Sequence, residues 1–249
     1  MSISKWLGAT LGWSFGGPIG AILGFALGSV VDGLTDGGIK INTQGPYARP
    51  TNTRTRSGDF EVSLLILSAV VIKADGKSDQ RELDFVRSQF VGMYGKDRAN
   101  HAFKLFKNIS KQNNIPVRDV CMQIRQMMDH PSRLQLLHFL FGIAKADGNV
   151  SQVEVDTIYR ISNYLGIRAL DFESIKAMFY NSSDNAYRIL EIEKTATNDE
   201  IKKAYRRMAK KYHPDKVIHL GEEHQKGAEE KFRQVQDAYD QLQKERGFN

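Results

Sequence analysis

The pattern of hydrophobic and polar positions divides the chain into four stretches. Trp6 to Val31 is an uncharged run of 26 residues between Lys5 and Asp32. Gly37 to Asp59 (GGIKINTQGPYARPTNTRTRSGD) is polar and turn-rich, with no apolar periodicity, and reads as a linker. From Phe60 to about Tyr180, apolar residues recur at helical spacing. Ser183 to Asn249 repeats that spacing, with a break at a proline. The pattern predicts an all-α chain: a glycine-rich anchor over 1–36, a flexible linker over 37–59, a helical bundle over 60–181 and a C-terminal helical hairpin unit over 183–249.

The first stretch is long enough to span a bilayer, since a helix rises roughly 1.5 Å per residue and the hydrocarbon core is about 30 Å thick. Gly8, Gly12, Gly16, Gly20, Gly24 and Gly28 recur every four residues. In lipid that spacing forms a smooth ridge on which two helices pack closely, so a homodimer is expected there. Trp6 stands where an interfacial anchor would. So many glycines oppose a helix in water, and no small-residue cleavage site marks a signal peptide. Pro18 leaves a kink or a re-entrant hairpin as the alternative to a single pass. Bases after the stretch outnumber Lys5 before it, which places the bulk of the chain on the cytoplasmic side.

The middle stretch repeats itself. Offset by 72 residues, VSLLILSAVVIKADGKSDQRELDFV (Val62 to Val86) aligns with LQLLHFLFGIAKADGNVSQVEVDTI (Leu134 to Ile158). The shared KADG is Lys73 to Gly76 and Lys145 to Gly148; Gln80, Glu82 and Asp84 match Gln152, Glu154 and Asp156. Each copy predicts an apolar helix, a glycine turn and an amphipathic helix. Asp79 with Glu82, and Ser151 with Glu154, have capping-box spacing. An all-α bundle with internal pseudosymmetry follows.

These residues resemble the TerB-like (tellurite-resistance protein B) domain, and the resemblance implies acidic loops able to hold a divalent metal. The candidates here are Asp75, Glu82, Asp147 and Glu154. The competing reading is that the aspartates bound turns and the glutamates cap helices. The loops lack the alternating oxygen ligands of an EF-hand. His101, His130 and His138 form no constellation with one another, and Cys121 has no catalytic context.

In the last stretch, Thr197 and Glu200 mark a helix start. Ile201, Ala204, Tyr205, Met208 and Tyr212 form its apolar face, and Lys202, Lys203, Arg206, Arg207, Lys210 and Lys211 cover the rest. Pro214 stops it. Phe232, Val235, Ala238, Tyr239 and Leu242 supply the facing helix, with His213-Pro214-Asp215 at the tip between them. Together with Tyr187, Ile189 and Leu190, this combination resembles the J domain. The resemblance implies docking of the HPD turn and the basic helix on a DnaK-type heat-shock chaperone, whose ATP hydrolysis is stimulated. Lys202, Lys203, Arg206, Arg207, Lys210 and Lys211 would steer the encounter; His213 and Asp215 would make directional contacts, with Pro214 holding the turn.

No Gly/Phe-rich segment or cysteine zinc module accompanies the J-like unit, and the connection HPDKVIHLGEEHQKGAEEKF is long. Anchor, TerB-like bundle and J unit in that order resemble the DjlA-type (DnaJ-like protein A) membrane-anchored co-chaperones. That resemblance implies a bacterial inner-membrane location and a client or partner recruited by the middle domain.

Charge adds one qualification. The net charge is +6, but the basicity is local: Gly37 to Gly58 holds Lys40, Arg49, Arg54 and Arg56 without an acid, and Ile201 to Lys211 holds six bases without one. A general nucleic-acid surface is therefore not expected. One cysteine excludes a disulfide framework within the chain. No nucleophile, acid–base pair or phosphate loop emerges, so the expectation is a co-chaperone and not an enzyme, without a cofactor. Two alternatives stand beside it: a metal- or tellurite-stress protein with a subsidiary J unit, and a binder of anionic lipid or nucleic acid through the linker and basic helix.

Overall fold

The computed structural model describes residues 16–27, 57–76, 79–148, 150–180 and 184–248. Among these, every regular element is helical. We label them α1 (residues 16–27), α2 (Ser57–Ile72), α3 (Gln80–Ser110), α4 (Val117–Met127), α5 (His130–Lys145), α6 (Gln152–Tyr164), α7 (Ala169–Ala177), α8 (Asn185–Ile189), α9 (Asn198–Lys211) and α10 (Glu222–Arg246). A short 3-10 helix, Pro214–Leu220, joins the last two.

The internal repeat is visible in space. Its two apolar helices, α2 and α5, pack against each other at the centre. Both are apolar nearly all round, so only a buried position satisfies them. Leu64, Ile66, Leu67 and Val71 of α2, and Leu136, Leu137, Leu140 and Ile143 of α5, are fully buried. Truncating any one of these to Ala removes roughly 2–5 kcal/mol. The amphipathic partners α3 and α6 lie outside them, each begun by the capping box read from the sequence: Asp79 with Glu82, and Ser151 with Glu154. The two KADG turns share their backbone bonds, with Gly76 N–H donating to Lys73 O (3.2 Å) and Gly148 N–H to Lys145 O (2.9 Å). Gly76 and Gly148 adopt φ of 76° and 97°, which a side chain would strain. A further positive φ, at Gly95, bends α3 in its middle.

Of the stretch from Trp6 to Val31 expected to span a bilayer, the structure describes residues 16–27 as α1, and the rest lies outside the described residues. Its twelve described residues rise about 18 Å, and no described helix is long and apolar enough to cross a membrane. Ile19, Ile22 and Ala26 are buried with the bundle core. The Gln123 side chain accepts from Ile19 N–H (2.9 Å) and donates to Gly16 O (2.7 Å). Gln112 donates to Ile22 O (3.1 Å). A stretch that could face lipid on every side thus has one side met by protein and its backbone hooked by two amides. Gly16, Gly20 and Gly24 of the ridge are half-buried; Gly8, Gly12 and Gly28 lie outside the described residues.

Candidate functional site

Helix α9 begins where Thr197 accepts from Glu200 N–H and Glu200 reaches back to Thr197 N–H (2.7 Å). Ile201, Ala204 and Met208 are buried against α10, where Val235, Ala238 and Leu242 face them. Tyr205 and Tyr239 stack across the seam with ring centroids 4.3 Å apart. This packing turns Lys203, Arg206 and Lys210 outward, and all three are exposed. They are three and four residues apart, so they form one stripe along the helix.

The stripe runs toward the HPD tip. His213 caps the 3-10 helix, its Nδ1 accepting from Asp215 N–H (3.3 Å), and Pro214 occupies the first position. The imidazole edge rests on Phe232, with centroids 5.6 Å apart. His213 and Asp215 keep 49% and 77% of their side-chain surface open. The tip is held by local bonds yet presents its imidazole and carboxylate to a partner. Cys121, by contrast, is fully buried, and burial pushes its thiol up to about 12, which leaves it inert.

Not every base of α9 is available. Lys211 is 15% exposed and pairs with Asp171 of α7 and with Glu191. Asp171 is wholly buried and also takes Arg168 (2.9 Å) and His130 (3.3 Å). Burial acts to raise the Asp171 pKa, but hydrogen bonds from His130, Arg168 and Lys211 outweigh it and hold the carboxyl well below the usual range. Arg207 donates to Leu190 O (3.1 Å) and Glu191 O (3.3 Å). Lys202 lies over the Phe248 ring at 5.6 Å.

The C-terminal unit is docked on the bundle by the long connection after the HPD tip. Val217 and Leu220 are buried. His219 meets Asp129 (3.2 Å) and Ser132 (3.3 Å), and His224 meets Tyr94 Oη (3.0 Å) and the Phe60 ring. Ser174 donates to Ile189 O (2.8 Å). The HPD tip and the Lys203–Arg206–Lys210 stripe stay clear of this interface.

The four acidic candidates divide into two pairs. Glu82 and Glu154, one from each repeat, face each other while bonding the N–H groups of Asp79 (3.2 Å) and Ser151 (2.8 Å). Burial first, then the facing Glu154 carboxylate, push Glu82 up to about 8 against the pull of the Asp79 amide. Asp147 offers its carbonyl to Arg81 (3.0 Å), and the charge of Asp75 acts on Glu82. Among the described residues no three acids, histidines or cysteines are grouped to hold a metal.

The comparisons follow the same division. Family models match the Co-chaperone DjlA transmembrane domain over residues 1–49, Tellurite resistance protein TerB over 61–177 and the DnaJ domain over 185–247. The chain has the domain order of the DjlA type. It is similar to the Co-chaperone protein DjlA of Coxiella burnetii, 28% identical over 277 residues that cover 99% of this chain and 98% of the relative. The corresponding protein of Photobacterium profundum is 26% identical, covering 98% and 99%. The Chaperone protein DnaJ of Lactiplantibacillus plantarum is 49% identical over 61 residues, 24% of this chain and 14% of that protein. No solved structure matches.

The sequence does not reveal the latch of Asp171, Glu191, His130 and Lys211. Its members come from four helices and loops, and no spacing connects them. The long connection is the legible signal, and it is one of the elements that make the junction.

Proposed function

We propose that this J-domain co-chaperone stimulates ATP hydrolysis by a DnaK-type heat-shock chaperone at the cytoplasmic face of a bacterial inner membrane. The observation that carries the reading is the exposed, locally braced HPD tip at the end of the Lys203–Arg206–Lys210 stripe. The exposed bases of this helix attract an acidic surface, while His213 and Asp215 supply direction. The unit performs no covalent step; binding shifts the partner toward its hydrolysing state. Lys211 and Arg207 belong chiefly to the fold, so the steering charge lies with Lys203, Arg206 and Lys210. Single-pass insertion and pairing through the glycine ridge complete the proposal, supported by the transmembrane-domain match and the four-residue glycine period.

The test is steady-state ATP turnover of a DnaK-type chaperone with increasing amounts of the chain. Turnover should rise severalfold, and the concentration for half-maximal effect should increase with ionic strength. Unchanged turnover at every salt concentration would contradict the proposal.

A further inference from the structure

Between the bundle and the J unit lies a cleft of about 610 Å³, walled by α2, α3 and α5 on one side and α10 on the other. Buried polar atoms are nearly always paired, yet three here are not: Gln135 Oε1, His138 Nε2 and Gln234 Oε1. Gln135 and His138 are each 6% exposed and come from α5; Gln234 comes from α10. Gln234 lies beside His138, and its side chain opposes the effect of burial on the imidazole. Burial holds the His138 imidazole well below its ordinary pKa, so it is neutral at pH 7. Phe85, Phe139 and Phe179 give the wall an aromatic patch.

A single ordered water does not account for this volume, since water occupies about 30 Å³; the cleft has the size of a ligand site. Its chemistry narrows the occupant. Two amide oxygens accept only, so the occupant must donate. Lys145 and Lys226 against Glu230 make the lining net positive, which disfavours an ammonium or guanidinium donor. A neutral N–H beside a large apolar group remains, and the peptide backbone supplies both at regular intervals.

Gly92 adds an independent sign. It lines the cleft, is exposed, and a Cβ placed on it meets nothing within 4 Å. A glycine inside a helix costs about 0.5–1 kcal/mol relative to Ala. Packing does not require it, but it keeps the mouth of the cleft open.

We propose that this cleft binds an extended polypeptide segment, with one large apolar side chain among the phenylalanines and main-chain N–H groups on Gln135 and Gln234. The proposal rests on the co-chaperone reading and gives it a client site, built jointly by the bundle and the J unit.

The probes are fluorescein-labelled hexapeptides of sequence Gly-Ser-X-Leu-Ser-Gly with X as Phe, Leu or Ala, titrated with the full chain by fluorescence anisotropy. Binding should be tightest for Phe and at least tenfold weaker when the X and Leu nitrogens are methylated, which removes the donors and keeps the apolar groups. Gly92→Trp, which fills the mouth, and Gln135→Leu, near-isosteric and without the orphaned acceptor, should each weaken binding at least tenfold. Circular dichroism establishes that each variant is folded, and one folded variant suffices. No saturable binding at millimolar peptide overturns the proposal. So does equal affinity for the methylated peptide, or undiminished affinity in a folded variant. Failure of the co-chaperone reading is separate: peptide would bind the unaltered chain while DnaK-type ATP turnover stayed unchanged.

Discussion

Lys211, the last residue of the basic helix, is bound to the buried Asp171 carboxylate of the TerB-like bundle. The sequence places it with the partner-facing bases, whereas the structure uses it to tie the two units together. Removing one member of a buried ion pair leaves the other charge uncompensated, at about 3 kcal/mol. Asp171→Asn should therefore lower Tm by about 6–12 °C in a chain of this size, measured by calorimetry. Lys211→Met should lower Tm as well, yet alter the salt dependence of DnaK stimulation less than Lys210→Met does.

Stability should carry the signature of the raised Glu82 pKa. Glu82 has a folded pKa of about 8 against an ordinary 4.5. The folded state binds the extra proton between these values, so this contribution is fully present below about 4.5 and is lost as pH rises through 8. His138 and Lys231 are both depressed by burial, Lys231 to about 7, and each acts in the opposite direction over its own range. Subtracting the Glu82→Gln profile from the unaltered one cancels both. The difference in unfolding free energy from urea titrations should fall steadily from pH 4.5 to 8; a flat difference would show that Glu82 is not held protonated.

Two glycines should respond with opposite signs. Gly148 has φ of 97° in the second KADG turn, so Gly148→Ala forces a left-handed alanine and should cost about 1–2 kcal/mol. Gly92 is helical with open space around its Cβ position, so Gly92→Ala should stabilise by about 0.5–1 kcal/mol. Denaturation midpoints at constant m-value separate the two.

These residues also mark how far the sequence could be read. Everything local was legible: the repeat, the three capping boxes, the KADG glycines and the pairing of α9 with α10 all follow from spacing along a few turns of chain. The candidate site was legible for the same reason, because the HPD tip and the Lys203–Arg206–Lys210 stripe lie in one contiguous segment. What joins distant segments was not. Asp171 in DFES carries no sign that Lys211 and His130 will reach it, and Gln135, His138 and Gln234 look like ordinary helix residues until α5 and α10 come together. Hydropathy likewise does not register that Gln123 and Gln112 reach the backbone of α1.

The central claim is that the exposed HPD tip activates a DnaK-type ATPase. Single-turnover ATP hydrolysis by such a chaperone, with the unaltered chain and with His213→Gln, tests it most directly. His213 touches only the Phe232 ring and its own turn, so the substitution should leave the melting curve unchanged while abolishing the acceleration. Acceleration by the variant equal to that of the unaltered chain would contradict the account.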